Sequence, residues 1–194
     1  MGGRLYYGSL TREYPALGKQ TERKIIRLEA LLQNDYGERL DCTLTCMACI
    51  WGEEHYDEIE RIARRYGYNG EKRGTNPLVV QRIMQVFMKA HRLPGRPCSA
   101  YGKGIGWNYA TIKRLIKGGT PVILNLWTDG RGYYKDHSVT IVGFEEYEHG
   151  QFLLVYDNWF KGTSMIDYRK LSVISSINYV TTTEYKGDIC KTQI

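Results

Sequence analysis

No stretch of the 194 residues approaches the ~20 consecutive apolar residues that a membrane-spanning helix needs. The opening MGGRLYYGSL lacks the apolar core of a signal peptide. It also lacks a myristoylation signal, because Tyr6 stands where Ser or Thr is wanted. The chain therefore reads as cytoplasmic, or as exported with its leader already removed. Dense runs of Lys and Arg are missing too. The 27 basic residues are scattered among 21 acidic ones, and the net charge of +6 serves solubility without any nucleic-acid motif beside it. Phe is scarce, at 4 against 16 Tyr. No internal repeat or low-complexity tract is visible, which excludes solenoids and arrays. An even, well-spaced cysteine framework is also absent. The five cysteines leave at least one thiol unpaired in a monomer, and three of them crowd into Cys42, Cys46 and Cys49. Pairing of Cys98 with Cys190 stays open.

What is present is an ordinary globular balance, 42% apolar and 25% charged, in a chain long enough for one domain. Residues 1–24 are polar and read as an N-terminal arm, and 25–194 as the domain. Residues 25–33, IIRLEALLQ, are apolar enough to dock, and polar NDYGER follows as a loop. Asp41 is placed to cap a helix that opens at Cys42, with Cys46 and Cys49 on the same face at i+4 and i+7. Residues 54–66 form an amphipathic stripe through Ile59, Ile62, Ala63 and Tyr66, stopped by Gly67. Asn76-Pro77 starts the next helix, which carries Val80, Ile83, Met84 and Phe87 to about His91. Pro94-Gly95 closes it, and 96–106 reads as loop. A shorter helix over 108–117 turns Ile112, Leu115 and Ile116 inward and ends at Gly118-Gly119.

After Gly119 the period changes. PVILNLW (121–127), HSVTIVGF (137–144) and QFLLVYD (151–157) are strand-like, with further short strands in 163–185. Helices first and strands after is the order of an α+β fold. An antiparallel hairpin centred on Tyr147 would set His137 opposite Asp157, with Asn158 the alternative if the register slips. A carboxylate beside an imidazole fixes its tautomer and stabilises its cation. Cys42, in the first turn of a helix, is placed where the helix dipole favours a thiolate. Cys46 and Cys49 lie deeper and fit the core. His55 on a charged segment, His91 at a helix end and His149 in a turn read as structural or solvated.

The order Cys42, His137, Asp157 with an amide upstream resembles papain-like cysteine peptidases. It is most similar to the bacteriocin-processing (double-glycine leader) peptidases and their stand-alone relatives. The matching pieces are Gln33 followed by Asp41-Cys42, then KGGTPVILNLW, HSVTIVGF and FLLVYDNW, spread over roughly residues 25 to 165. Gln33 stands nine residues before Cys42 where that family spaces its Gln about six before, so Asn34 is the alternative. Thr43 replaces the usual small residue. The resemblance implies N-terminal helices packed on a C-terminal antiparallel sheet. It also implies a Cys42–His137–Asp157 triad, an oxyanion donor at Gln33 or Asn34, a peptide or protein substrate, and no cofactor or metal. Oligomeric state is left open.

Other readings remain. Cys42, Cys46 and Cys49 match CxxxCxxC, a spacing that can hold an iron–sulfur cluster. A structural zinc site would need a fourth ligand that nothing is spaced to supply. The same triad can serve an acyltransferase or transglutaminase, and the same fold can serve a non-catalytic binding module.

Overall fold

The computed structural model describes residues 16–33, 40–70, 72–127 and 136–181. Four α-helices lie among them: α1 (Cys42–Trp51), α2 (Tyr56–Arg64), α3 (Val80–Ala90) and α4 (Tyr109–Lys117). The strands are β1 (Gln20–Ile25), β2 (Arg96–Tyr101), β3 (Val122–Leu126), β4 (His137–Tyr147), β5 (Gly150–Tyr156), β6 (Ser164–Asp167) and β7 (Ser175–Thr181). They form one seven-stranded sheet in the order β2-β7-β3-β4-β5-β6, with β1 added on β4. Every named pairing is antiparallel. The class is α+β, as the order of helix and strand signals predicts. Among the described residues no helix is long and apolar enough to cross a membrane.

Local capping signals account for two of the helix starts. The Asn108 side chain accepts from the Thr111 N–H at 3.0 Å, and Thr111 returns the bond to the Asn108 backbone, a reciprocal box that starts α4. The Asn76 side chain accepts from the Leu78 N–H at 3.0 Å, so the Asn-Pro start signal caps a short 3-10 turn leading into α3.

Three expectations change. Residues 96–101, expected as loop, are β2. RPCSAY is buried at Pro97, Cys98 and Ala100 and pairs with β7 as the edge strand of the sheet. Residues 20–25 of the expected arm are β1, paired with the second half of β4. Residues 1–15 lie outside the described residues. The hairpin register also differs. The turn is the two-residue Glu148-His149 between Tyr147 and Gly150, and a bulge falls between Ile141 and Gly143. The turn falls beyond Tyr147 and the bulge recovers only one residue of that offset, so Thr140 pairs with Tyr156 and Asp157 is not the straight cross-strand partner of His137.

Three apolar clusters pack on the sheet, a small one on β5 and β6 around Phe152, Leu154 and Met165 and two that hold helices. Ile112, Leu115 and Ile116 of α4 pack on one face with Leu124, Val139, Ile141 and Val155. Leu44, Met47, Ile59, Ile62, Ile83 and Phe87 of α1 to α3 pack together, with Ile123 joining them from the sheet. Because side chains alternate along a strand, Asn125 shares the face of Ile123. The helix α1 is buried along Thr43–Cys49, between the other helices and the sheet.

Candidate active site

Cys42 is the first residue of α1 and His137 the first of β4, so the end of the sheet meets the start of the central helix. Both line a cleft of about 740 Å³, together with Gln33, Tyr66, Trp127 and Trp159. The thiol and the imidazole lie close enough for each to shift the other's ionisation. Burial by itself pushes the Cys42 thiol up. The His137 hydrogen bond and charge, with hydrogen bonds from the Ser138 backbone and side chain, outweigh it and hold the thiol below its ordinary value. Burial likewise pushes His137 down, and the Cys42 bond and charge, then the Asp157 backbone, outweigh it and raise the ring. Both shifts favour thiolate beside imidazolium. A thiolate beside an imidazolium is the arrangement that nucleophilic catalysis by a thiol requires.

The His137 ring is oriented by the backbone. Its Nε2 lies 2.8 Å from the Asp157 carbonyl oxygen. A carbonyl only accepts, so Nε2 carries a proton and Nδ1 is left for the thiol. Trp159 stacks on the other side of the ring, with centroids 4.5 Å apart at 26°. The Asp157 carboxylate accepts from the Trp159 N–H at 3.2 Å and from the Ser164 hydroxyl at 2.9 Å. It braces the turn that presents the carbonyl and the indole, and its charge also raises the His137 pKa.

Asn158, the alternative partner for His137, has another task. It is 1% exposed and adopts φ 64°, a left-handed conformation that Asn tolerates better than most residues. Its amide nitrogen donates to the Cys42 carbonyl, the Cys46 sulfur and the Ser138 carbonyl, each at 3.2 Å. One side chain thus ties the first turn of α1 to β4. The Asn158 carbonyl accepts from the Gln33 N–H at 2.8 Å, which holds Gln33 at the rim of the same cleft. Asn34 lies outside the described residues.

Asp41 does not cap α1 as expected. No side-chain cap bond forms there, and the fully buried carboxylate accepts from the Tyr56 hydroxyl at 2.5 Å. That bond links the residue before Cys42 to the start of α2.

A further set of residues carried no motif in the sequence. The Thr43 and Ser138 hydroxyls are 2.8 Å apart, and Asn125 donates to Ser138 at 2.7 Å. The Asn125 oxygen accepts from Asn178 at 2.7 Å and Ser176 at 3.3 Å, and Ser99 donates to Asn178 at 2.5 Å. A buried polar ladder so runs from α1 across β4, β3 and β7 to β2. The available signal was the placement of Asn125, Ser138, Ser176 and Asn178 at alternate strand positions, all on the face toward α1.

Cys46 and Cys49 are buried, and desolvation raises both thiols. They sit in the core, as their depth in the helix predicts. Among the described residues, the one set of three metal-type ligand groups whose atoms lie within 4.8 Å of one another is His55, Glu58 and His91, not the three thiols. Cys98 is disulfide-bonded, and Cys190 lies outside the described residues. His149 is exposed in the β4–β5 turn, as expected.

No protein-family model matches the chain, and no curated protein is significantly similar to it. A thiol at a helix start, an oriented imidazole and the Gln33 amide share one cleft.

Proposed function

We propose that this protein is a cysteine peptidase of papain-like architecture, acting through an acyl-enzyme on Cys42. The observation that carries the proposal is the Cys42–His137 pair. The two side chains shift each other toward the ionised forms, at the floor of a cleft large enough for a peptide.

The Cys42 thiolate attacks a peptide carbonyl and forms the carbon–sulfur bond. Negative charge builds on the carbonyl oxygen, where the Cys42 N–H at the helix start and the Gln33 amide receive it. His137 gives its Nδ1 proton to the departing amine as the carbon–nitrogen bond breaks. Water then yields a proton to His137 and its oxygen to the acyl carbon. The thiolate leaves and a carboxylate is released. The Asp157 carbonyl keeps Nδ1 on the reacting side throughout. Trp127 and Trp159 supply apolar walls for the chain on either side of the scissile bond.

The test is a mixed peptide library incubated with the protein in ¹⁸O-water and read by mass spectrometry. The expected result is new peptide ends carrying ¹⁸O, absent with Cys42→Ala. Cleavage unchanged in Cys42→Ala would overturn the assignment. Products joined to added amines, without ¹⁸O, would move the proposal to acyl transfer by the same residues.

A further inference from the structure

A second cluster of reactive side chains lies at the other end of α2. His55 ends the short turn Glu53–His55, Glu58 follows in the first turn of α2, and His91 caps the end of α3. We propose that His55, Glu58 and His91 form a binding site for a divalent transition metal of the zinc class, which clips α2 to α3.

The placement begins in the sequence. His55 and Glu58 are three apart, so they project from one face of a continuous turn. The helix pair brings His91 to that face from 33 residues away, its Nε2 2.7 Å from the Glu58 Oε2. One ligand atom from each of the three residues lies within 4.8 Å of the other two. Tetrahedral coordination at about 2.0–2.2 Å per bond places ligand atoms roughly 3.3–3.6 Å apart. Small side-chain rotations reach that spacing.

The rings are already held. Phe87 stacks on His91 with centroids 4.4 Å apart at 30°, and meets His55 edge-on at 5.3 Å. Trp51 backs Phe87 at 4.6 Å. An apolar wall that fixes imidazole planes lowers the ordering cost of binding. The side chains of His55, Glu58 and His91 are 29%, 31% and 29% exposed, so a water can complete the fourth position. Two imidazoles and a carboxylate suit zinc, cobalt or nickel over magnesium or calcium, which prefer all-oxygen shells. Tyr66 and Gly67 of the cleft lie beyond the far end of α2, a nine-residue helix about 13 Å long. The metal would clip α2 to α3 next to Tyr56, whose hydroxyl donates to Asp41 beside Cys42.

The experiment uses Co²⁺ as the probe and Cys42→Ala as the background, because the thiol–imidazole pair of the cleft is itself able to take a metal. The expected result is one Co²⁺ per chain at micromolar metal. It would show visible bands without a thiolate charge-transfer band, be displaced by Zn²⁺, and accompany a rise in Tm. His91→Ala should weaken binding at least about tenfold. Glu58→Gln, which keeps the size of the side chain, should do the same if His91→Ala fails to fold. No bound Co²⁺ in the Cys42→Ala protein would overturn the site. So would binding left unchanged by Glu58→Gln and by a folded His91→Ala.

Discussion

At the scale of single residues, the proposed chemistry depends on two opposed shifts. The Cys42 thiol is lowered and the His137 ring is raised, each by the other against its own burial. Thiolate beside imidazolium is therefore the favoured form between the two apparent pKa values, which belong to the pair and not to either residue. Reactivity should rise as pH climbs through the lowered thiol value and fall as it passes the raised imidazole value. Alkylation of Cys42 by iodoacetamide should already be fast well below the ~8.5 of a free thiol, while Cys46 and Cys49 stay protected. Labelling of Cys42 that begins only near that value would remove the ion pair. The Asp157 backbone makes a second, sharper prediction. Where a carboxylate alone holds an imidazole tautomer, its amide variant loses several powers of ten in rate. Here a carbonyl holds Nε2, and no side-chain change can turn a carbonyl into a donor. Asp157→Asn removes the carboxylate charge that helps to raise His137 but keeps the carbonyl, so it should lower kcat by far less than a thousandfold. A loss of a thousandfold with folding intact would mean that the carboxylate charge, not the carbonyl, sustains the imidazolium. Gln33→Ala should lower kcat by about 10²–10³ with little change in KM, the mark of a donor used only in the transition state.

At the scale of elements, α1 is held in register by polar groups as well as by its apolar packing. Asn158 bonds the first turn of α1 to β4 through one amide, and Thr43, Ser138 and Asn125 do so through the ladder. Asn158→Ala loses three donations from a buried site and leaves Ala at φ 64°, so it should cost about 2–4 kcal/mol. Asn158→Gly keeps the backbone comfortable and isolates the loss of the amide, and denaturant titration of the two variants separates the terms. Equal stability of Asn158→Ala and the parent would refute the clamp. This level also shows what could be read from the chain. Helices over 54–66, 76–91 and 108–117 were legible because caps, Pro and Gly bracket a clear apolar period. So were the strands starting near 121, 137 and 151, with their β-branched runs. The strand β2 was not, since RPCSAY carries a Pro and small polar residues. Only its pairing with β7 makes it a strand. Cys42 and His137 meet where the pattern put them. The roles of Asp157 and Asn158 were not legible, because the β4–β5 turn lies beyond Tyr147 and a backbone carbonyl leaves no trace in residue type. The ladder was hidden for a related reason: Ser and Asn at alternate strand positions look like solvent-facing residues until α1 covers them.

At the scale of the whole molecule, β4 is the strand on which everything converges. Its first half pairs with β3 and delivers His137, its second half pairs with β1, and β5 runs along its other edge. The close approach of β1 depends on Gly143. A Cβ there would lie 2.5 Å from the Lys24 carbonyl oxygen and 3.2 Å from the Ile25 Cα, backbone atoms that cannot rotate away. The same junction buries a charge: Glu145 is fully buried and pairs with Arg23 of β1 at 2.9 Å, with Tyr147 donating to its other oxygen at 3.0 Å. Forcing β1 outward would strain the ladder and lengthen that ion pair together. Gly143→Ala should therefore destabilise the fold by about 1–3 kcal/mol, a Tm decrease of roughly 3–9 °C. The pairings of β3 with residues 137–141 and the contacts of α1 lie on the far side of the bulge. They have no reason to move, so the rate at which iodoacetamide labels Cys42 in the folded variant should match the parent. A lower Tm with unchanged labelling would establish β1 as a brace independent of the cleft. Labelling slowed in step with the loss of stability would instead mean that β1 and the cleft open as one unit, with the bulge transmitting strain along β4 to His137.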